Sequence, residues 1–464
     1  MSKDIILFVN AIRPATFAAL DAYEKETGRT FTPIVLVDSK INASISECNL
    51  QDDLPVHVTK IVADFDSPKS MRLALMPYMD RLFAVTTQYE NSILELKKLI
   101  PYVPHLPTPI EQSLDWATEK TLMRELLEVH NPQIIPSYLE VSNHREATIR
   151  EIERTMSYPL IVKPSGLEGS LLVTRVENRA QLRRTLKHTF HEIQKAYDKW
   201  IKRQEPTVLV EEFMEGDMYS VDTYVSPEGV CRHTPPVKVL TGRNVGFDDF
   251  FGYMRLAPAG LTSDDITNAY DVAEQACAAL NLRAVTAHVE LMKTPKGWKI
   301  IELGPRIGGG SRHEIYSESF GINHIVNDIR NRAGEEPVIP MQPKKSMAVF
   351  WIYAREEGVL ASVKGIREVK QLSSFVSIGQ DIKVGDPVQF AKNNGDPVLV
   401  LTLSHVDEAQ LAADIEQMEA VLQLTTRPIM GLPDSYLEIV DNVLQLDYIR
   451  NGSLQNSLMQ HRQV

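Results

Sequence analysis

The chain has 464 residues, of which 43% are hydrophobic, so it is long enough for two to four domains with sizeable cores. Its formal net charge of −12 and its pI of about 5.6 argue against a protein that binds nucleic acid or an acidic membrane surface. Its three cysteines are widely separated and odd in number, and no apolar run reaches the ~18 residues of a membrane span. We therefore expect a cytoplasmic protein without disulfides, nucleic-acid partners or membrane contacts.

The first 105 residues alternate between strand-like and helix-like patterns. Strands are predicted at residues 5–9, 34–37 and 82–86, and helices at residues 16–25 and 70–79. This alternation is typical of a small parallel α/β sheet, so a domain is predicted at residues 1–105. The pattern Gly-x-Gly-x-x-Gly is absent, and a dinucleotide site is therefore unsupported here.

A proline-rich linker follows and leads into a second predicted domain, residues 106–340, of which about 113–205 include a glycine-rich loop. The predicted elements of that part are helix 113–127, strand 135–139, helix 144–156, strands 159–163 and 171–176, helix 179–201 and strand 208–212. In the loop, Gly166 and Gly169 let the backbone approach a ligand, and successive N–H groups can cradle an anion. Lys163 and Lys120 would bind phosphates if they lie beside this loop. An ordinary hairpin turn with solvated lysines is the alternative.

Two further segments of this domain suggest nucleotide and substrate contacts. The apolar strand 208–212 runs into Glu211-Glu212-Phe213-Met214, where backbone groups can pair with an adenine edge, although a core strand that ends in a surface turn has the same pattern. Residues 241–261 are predicted as one long loop, with Arg243 inside it and Lys238 just before it. Loops of that length often act as lids that exclude water, and local packing of its aromatics is the alternative.

The most informative segment is a predicted hairpin of strands 285–291 and 299–303. Its loop is predicted as three residues, 295–297, with Gly297 in the left-handed conformation. Thr294 then faces Trp298, and counting back puts Glu290 opposite Glu302, with Cβ atoms roughly 4.5–5.5 Å apart. Like charges at that separation destabilise a sheet, so a ligated cation is indicated, and Mg²⁺ prefers one or two carboxylates plus substrate phosphates. An exposed acidic pair is the alternative.

Successive side chains of a strand point to opposite faces, so the predicted pairing also assigns each residue to one face of the hairpin. An apolar face is predicted to carry Val289, Leu291, Ile301 and Leu303, which leaves the two glutamates on a polar face with His288. Arg306 follows four residues after Glu302 and can bind a carboxylate or a phosphoryl group in transfer. The glycines at 308–310 can offer backbone N–H groups to the same oxygens. A flexible loop with a surface arginine is the alternative.

A third predicted domain covers residues 341–464. Strands are predicted near 348–353 and 398–403, and a helix at 407–422. The tail after Pro433 is predicted to be helical without an assigned role.

These motifs, taken in order, resemble the ATP-grasp superfamily. The resemblance covers about residues 105–335 and rests on Lys120, Lys163-Pro164, residues 166–170, residues 211–214, Glu290 and Glu302-x-x-x-Arg306. Within the superfamily the chain looks most like carboxylate–amine ligases of the L-amino-acid (dipeptide) ligase and carnosine synthase kind. The implied fold is an N-terminal parallel α/β domain, a central ATP-grasp fold and a small C-terminal α+β domain.

The resemblance also implies roles for individual residues. Glu290 and Glu302 would bind one or two Mg²⁺ ions, for which Mn²⁺ can substitute. The implied nucleotide-binding residues are Lys120, Lys163, Ser165, Gly166, Gly169, Ser170, Glu211, Glu212, Phe213, Met214 and Asp217. The implied catalytic residues are Arg306, Gly308 and Lys238, and the implied substrate-binding residues are His288, Arg306, Gly309 and Arg243. The chain departs from the family at Met218, where many members have an acid for ribose, and at Gly304, where many have asparagine.

The function implied by this resemblance is an ATP-dependent, ADP-forming carboxylate–amine ligase. It would make an acyl phosphate from a small-molecule carboxylate and transfer the acyl group to a small-molecule amine. A bicarbonate-activating carboxylase and a non-catalytic ATP-binding regulator are the alternatives. A homodimer is compatible with the sequence, which does not specify the two substrates.

Overall fold

The structure is a computed structural model and describes residues 3–41, 58–166, 171–199, 207–247, 249–391 and 397–428. Its strands are β1 Ile5–Val9, β2 Thr32–Asp38, β3 Thr59–Ala63, β4 Leu82–Thr86, β5 Tyr138–Val141, β6 Leu160–Pro164, β7 Thr174–Val176, β8 Val208–Glu212, β9 Asp217–Val225, β10 Cys231–His233, β11 Val237–Thr241, β12 Gly252–Ala257, β13 Val285–Thr294, β14 Gly297–Gly304, β15 Ser346–Ile352, β16 Gly358–Lys364, β17 Phe375–Gly379, β18 Pro387–Val388, β19 Leu399–His405 and β20 Gln423–Arg427. Its α-helices are α1 Ala15–Thr27, α2 Pro68–Leu75, α3 Ile93–Leu99, α4 Glu111–Thr118, α5 Lys120–His130, α6 Glu146–Thr155, α7 Arg179–Lys199, α8 Ser263–Ala279, α9 Arg312–Phe320, α10 His324–Arg332, α11 Ile366–Val369 and α12 Glu408–Val421.

The N-terminal part is a four-stranded parallel sheet in the order β3-β2-β1-β4, as the alternating pattern predicts. Strands β1 and β2 are buried on both faces, which is typical of parallel sheets and explains their continuous apolar runs. The sequence analysis missed β3. Four of its five residues are exposed or half-buried because it lies at the sheet edge, so it lacks an apolar run.

A second, antiparallel sheet has the order β5-β8-β6-β7. Helices α6 and α7 pack on it through Ile149, Ile152, Leu182 and Leu186. The predicted helix 113–127 is in fact two helices, α4 and α5, because Glu119 between them has an extended backbone. The predicted glycine-rich loop connects β6 to β7. Of this loop, Ser165 and Gly166 lie within the described residues, whereas Gly169 and Ser170 lie outside them, as does the predicted helical tail after Pro433.

The third sheet has nine strands along the path β14-β13-β9-β11-β12-β15-β19-β17, with β10 added beside β9. The prediction of one long loop at 241–261 is wrong, because residues 252–257 form β12, which pairs with both β11 and β15. The connection between β11 and β12 is therefore much shorter than expected. Through β12, the sheet continues from the hairpin of β13 and β14 into strands that follow residue 340. A small sheet, β18-β16-β20, completes the described C-terminal part.

Glu290 faces Glu302 in the hairpin of β13 and β14, as predicted, but the pairing of the residues between them and the turn differs from the prediction. Thr294 pairs with Gly297 rather than with Trp298, so the pairing near the turn is shifted by one residue from the prediction. A bulge then inserts Ile301 opposite the junction of Glu290 and Leu291 and restores the predicted pairing. Gly297 has a φ of +110°, as expected for its position in the turn.

The bulge determines which residues of β14 lie on the apolar face of the hairpin. Ile300, rather than the predicted Ile301, packs in the core beside Leu291, because the extra residue changes which side chains face inward. This apolar face is covered by α8, which contributes Ala269, Val272, Ala273 and Ala276 to the same core. The opposite face carries the glutamates and is called the site face below. In the described part of the chain, no helix is long and apolar enough to cross a membrane.

Candidate active site

Polar side chains form two rows across the site face. The first row is Ser220, Glu290 and Glu302, which lie opposite one another on β9, β13 and β14. The second row, two residues along each strand, contains Asp222 and His288. The side chains of Glu290 and Glu302 are 24% and 33% exposed, so both carboxylates are accessible to a ligand. We call them the glutamate pair.

Lys120 lies against one member of the glutamate pair. Its Nζ is 3.2 Å from Oε2 of Glu302, and it is the first residue of α5 because the helix begins after Glu119. The side chain of Ser165 holds this helix start, since its hydroxyl donates to Glu119 and its oxygen accepts from the Thr121 N–H at 3.1 Å. Burial works to lower the pKa of Lys120, but the charges of Glu302 and of other nearby glutamates raise it above its ordinary value. Lys120 is therefore held as a cation beside the glutamate pair.

A buried ionic cluster lies at the end of β6. Glu211 accepts from Nε of Arg124 at 2.8 Å and pairs with Nζ of Lys163 at 2.6 Å, and all three side chains are at most 7% exposed. Burial lowers the pKa of Lys163 to about 8, with further lowering by the charges of Arg124 and Lys120, and Glu211 opposes this only in part. For Glu211, burial works to raise the pKa, and the two cations lower it below its ordinary value. The Glu211 carboxylate is thus engaged with two cations rather than turned toward a hinge ligand.

The segment after β8 is the predicted adenine hinge. The Phe213 N–H donates to the Pro159 carbonyl. The guanidinium carbons of Arg175 and Arg243 lie over the Phe213 ring, 4.4 and 4.8 Å from its centroid. Glu212 pairs with Lys296 at 3.1 Å, and Met214 is half-buried just beyond the strand end. The connection between β11 and β12 therefore contacts the hinge through Arg243.

Lys238 and Asp217 are placed differently from the other predicted residues. Lys238 pairs with Asp217 at 3.2 Å and lies opposite Tyr219, a residue of the apolar core. Because facing residues share a side of the sheet, Lys238 projects from the face opposite Glu290. The structure does not bring Lys238 to the glutamate pair.

Arg306 lies where the N-terminal sheet meets the site. It forms a partly buried ion pair with Glu90, which follows β4, and its Nη1 donates to the Ile307 carbonyl at 3.1 Å. The charge of Arg306 also contributes to a lowered pKa of Glu290. Burial works to raise that pKa, and His288, Arg312 and Arg306 together outweigh it. The glutamate pair is therefore surrounded by cations from several segments.

Asp222 is a fully buried carboxylate that organises the second row. Its Oδ1 accepts from the Gly308 N–H at 2.8 Å and lies 3.1 Å from Nδ1 of His288, and its Oδ2 accepts from the Tyr316 hydroxyl at 2.9 Å. The Gly308 N–H was predicted to face substrate oxygens, but this donor is occupied by Asp222. At Gly309 the position of a Cβ atom has no neighbour within 4 Å, so this glycine borders open space. Asp222 thus fixes His288 and the glycine run 308–310 relative to each other.

The residues fit a magnesium ion with substrate ligands better than a preformed metal cage. Within the described ranges, no group of three or more His, Cys, Asp or Glu side chains is arranged to hold a metal. Glu290 and Glu302 alone provide two opposed and accessible carboxylates. This is the donor set expected for Mg²⁺, which commonly keeps one or two carboxylates and completes its shell with waters and phosphates.

Several residues of this site were missed by the sequence analysis. They are Glu90, Arg124, Asp222, Arg255 and Arg312. Each has at least one partner that is remote in the chain, and none belongs to a local motif. The one available signal was Asp222, an acid between Val221 and Thr223 in the middle of a predicted meander, and the structure buries this part of β9 completely.

The sequence matches a known domain family and is similar to individual known proteins. A model of the ATP-grasp domain family matches residues 156–314. The chain is 23% identical over 295 residues to the uncharacterized protein y4rH of Sinorhizobium fredii, covering 63% of this chain and 57% of that protein. It is 24% identical over 277 residues to human carnosine synthase 1, covering 55% of this chain and 31% of that protein. The matches thus span less than two thirds of these relatives.

Solved structures share the architecture over nearly the whole chain. An L-amino acid ligase from Bacillus licheniformis has a TM-score of 0.71 at 18% identity, covering 92% of this chain and all of that one. Biotin carboxylase and N5-carboxyaminoimidazole ribonucleotide synthetase structures share the fold as well. At such identities, the likeness establishes fold and not substrate. Residues 156–314 thus match the ATP-grasp domain family, and the whole described chain shares its fold with the L-amino acid ligase.

Proposed function

We propose that the protein is an ATP-dependent, ADP-forming ligase that joins a small-molecule carboxylate to a small-molecule amine, most simply two amino acids. The observation that carries this proposal is the accessible glutamate pair, flanked by Lys120 on one side and by Arg306 on another, within a matched ATP-grasp domain. Carnosine synthase and the L-amino acid ligase are the relatives whose names fit this chemistry.

The proposed reaction has two steps. The substrate carboxylate takes the γ-phosphoryl group of ATP and releases ADP, and the amine then forms a C–N bond as the acyl C–O bond breaks and orthophosphate leaves. A Mg²⁺ ion held by Glu290 and Glu302 would neutralise phosphate charge. Lys120 and Lys163 would bind the phosphates, and Arg306 would stabilise the charge that develops during transfer.

Hydroxylamine provides a direct test, because it traps acyl phosphates as hydroxamates. We expect ADP and a hydroxamate to form when ATP, Mg²⁺, hydroxylamine and each of the twenty common L-amino acids are supplied in turn. Amino-acid pairs without hydroxylamine should then give ADP and orthophosphate. Release of AMP and pyrophosphate would indicate adenylate chemistry and refute the proposal.

The same assay separates the alternatives. A carboxylase would require bicarbonate for ADP release and would not form hydroxamates from amino acids. A non-catalytic regulator would bind ATP without releasing ADP under any of these conditions. The accessible glutamate pair and Arg306 favour a catalytic protein over a regulator.

The lowered pKa of Lys163 leads to a prediction about ATP binding. In the free protein, Lys163 is partly neutral above about pH 8. Phosphate groups beside it would favour its charged form, so ATP binding at pH 8.5 should take up a fraction of a proton. Calorimetry in two buffers of different ionisation enthalpy measures this uptake. Arginine at position 163 stays charged throughout this range, so Lys163→Arg should remove the uptake. Equal uptake by both proteins would place the ATP phosphates elsewhere.

A further inference from the structure

Arg255 lies on the site face but has no role in the reaction described so far. Arg255 pairs with Val239 on β11, and Val239 pairs with Met218 on β9. Met218 is two residues from Ser220, which faces Glu290, so the side chain of Arg255 lies on the same face of the sheet as Glu290. The guanidinium stacks on Trp351 at 4.4 Å and donates through Nη1 to the Gly252 carbonyl at 3.0 Å. These two contacts fix its orientation.

Two glycines make room for this guanidinium. A Cβ atom at Gly252 would collide with Nη2 of Arg255, and one at Gly310 would lie 3.2 Å from its Nε. Gly310 also has a φ of +58°, a conformation that glycine adopts without strain. The backbone is thus shaped to admit an arginine beside the glycine run.

Arg312 is a second arginine beside the glycine run. It is 4% exposed, and its Nε donates to the Ser220 hydroxyl at 3.0 Å while its Nη1 donates to the Gly310 carbonyl at 3.2 Å. Because Ser220 faces Glu290 across the sheet, Arg312 is held next to the glutamate pair. Its contacts with protein are therefore to neutral oxygens.

Neither arginine has an acidic partner in the described part of the chain. Nε of Arg255 is buried there without a hydrogen-bond partner. Burial and the neighbouring charge of Arg312 lower the pKa of Arg255 to about 10, although Tyr353 and Glu290 act in the opposite direction. Two guanidinium groups that repel each other in a water-poor region are stabilised by an anion bound beside both.

The position of this pair argues for an anion other than the ATP phosphates. Lys120 reaches Glu302 on β14, at one end of the sheet. Arg255 lies on β12, which is three strands away from β13 in the direction opposite to β14. At the usual spacing between strands, β12 and β13 are roughly 14 Å apart. The two sets of cations therefore lie on opposite sides of the glutamate pair.

We propose that Arg255 and Arg312 form a carboxylate-binding subsite that holds the free carboxylate of the amine substrate, which is then an amino acid. This rests on the proposed ligase function. The subsite would fix the amine near the acyl phosphate, on the far side of the glutamate pair from Lys120. The bidentate fork of an arginine suits a carboxylate, and open space at Gly309 gives the substrate access.

The test compares Arg255→Met with the natural protein in two reactions. With hydroxylamine as the amine, which has no carboxylate, hydroxamate formation should be unchanged within about threefold. With an amino acid as the amine, kcat/KM should fall about 10²-fold, the usual effect of losing one charged donor. The natural protein should also prefer each accepted amino acid to its carboxamide, and Arg255→Met should lose that preference. Arg255→Lys should restore it in part, because charge is kept and the fork is lost.

Controls separate this contact from a structural role. Arg355→Met removes an exposed arginine that also stacks on a ring, that of Phe247, and should alter neither reaction. Thermal unfolding should show that Arg255→Met is folded. Without substrate, its unfolding temperature should be at least that of the natural protein, since the repulsion between Arg255 and Arg312 is relieved.

An unchanged preference for the acid over the carboxamide in Arg255→Met would overturn the proposal. An equal loss with hydroxylamine would assign Arg255 to the acyl phosphate and also overturn it. Failure of the natural protein to form any hydroxamate would refute the ligase function itself.

Discussion

Replacing Glu302 by glutamine is expected to lower Mg²⁺-dependent turnover by ~10³-fold or more, because a metal-bound transition state loses several kcal/mol of stabilisation. Glutamine keeps the shape and one oxygen ligand but removes the charge that holds the cation. Steady-state ADP release measures the loss. It should be accompanied by a weaker Mg²⁺ dependence of the residual activity.

The same substitution should change the free energy of unfolding very little. Removing one charge relieves the repulsion between Glu302 and Glu290, but it also removes the ion pair with Lys120 at 3.2 Å. These effects oppose each other, so the unfolding temperature should stay close to that of the natural protein. Glu335→Gln is a matched control, since Glu335 is also 33% exposed and paired with a basic side chain, Arg29. Near-normal ATP turnover by Glu302→Gln would refute the metal assignment.

Replacing Arg306 by alanine is expected to lower turnover far more than it weakens ATP binding. Loss of one donor to a developing charge typically costs about 2.7–4 kcal/mol, or roughly 10²–10³ in rate. The interaction strengthens in the transition state, so kcat should fall while the dissociation constant of ATP changes little. Arg306→Lys should recover part of the rate because it keeps the charge without the planar fork.

The partner of Arg306 provides the control for this prediction. If Arg306 served only to pair with Glu90 at the junction with the N-terminal sheet, Glu90→Gln would reproduce the loss of rate. We expect Glu90→Gln to retain most of the turnover. Matching rates for Glu90→Gln and Arg306→Ala would show that the arginine is structural. Arg29→Ala, which also breaks an arginine–glutamate pair, should leave the rate unchanged.

The hairpin shows how far the sequence determines the site. The opposition of Glu290 and Glu302 was predicted by counting back from a three-residue turn that puts Thr294 opposite Trp298. The turn pairing was one residue off and the bulge at Ile301 was not foreseen, and these two errors cancel. Local patterns thus predicted the facing glutamates but put Ile301, rather than Ile300, on the apolar face. The Ile301 carbonyl accepts from Arg124 Nη2 at 2.6 Å, a contact from outside the hairpin that no local pattern reveals.

The residues that sequence patterns did not reveal are those whose partners are remote in the chain. Glu90 and Arg306 are 216 positions apart, and Arg124 and Glu211 are 87 apart, so no local spacing relates them. Arg255 was hidden for another reason. It was assigned to a loop, because the glycines and aromatics before β12 outweighed its short apolar alternation. Tertiary pairing with β11 and β15 decides that this segment is a strand.

The continuity of the nine-stranded sheet determines where the chain can be divided. A chain that ended at residue 340 would lack β15, and β12 would become an edge strand along Met254–Ala257. Its N–H and C=O groups would be unpaired, and Met254 would lose its packing against Phe350 and Leu401. Exposed edges of this kind recruit other chains, so such a fragment would tend to aggregate. Such a fragment would also lack Trp351, on which Arg255 stacks, so the C-terminal strands contribute a contact to the proposed carboxylate subsite.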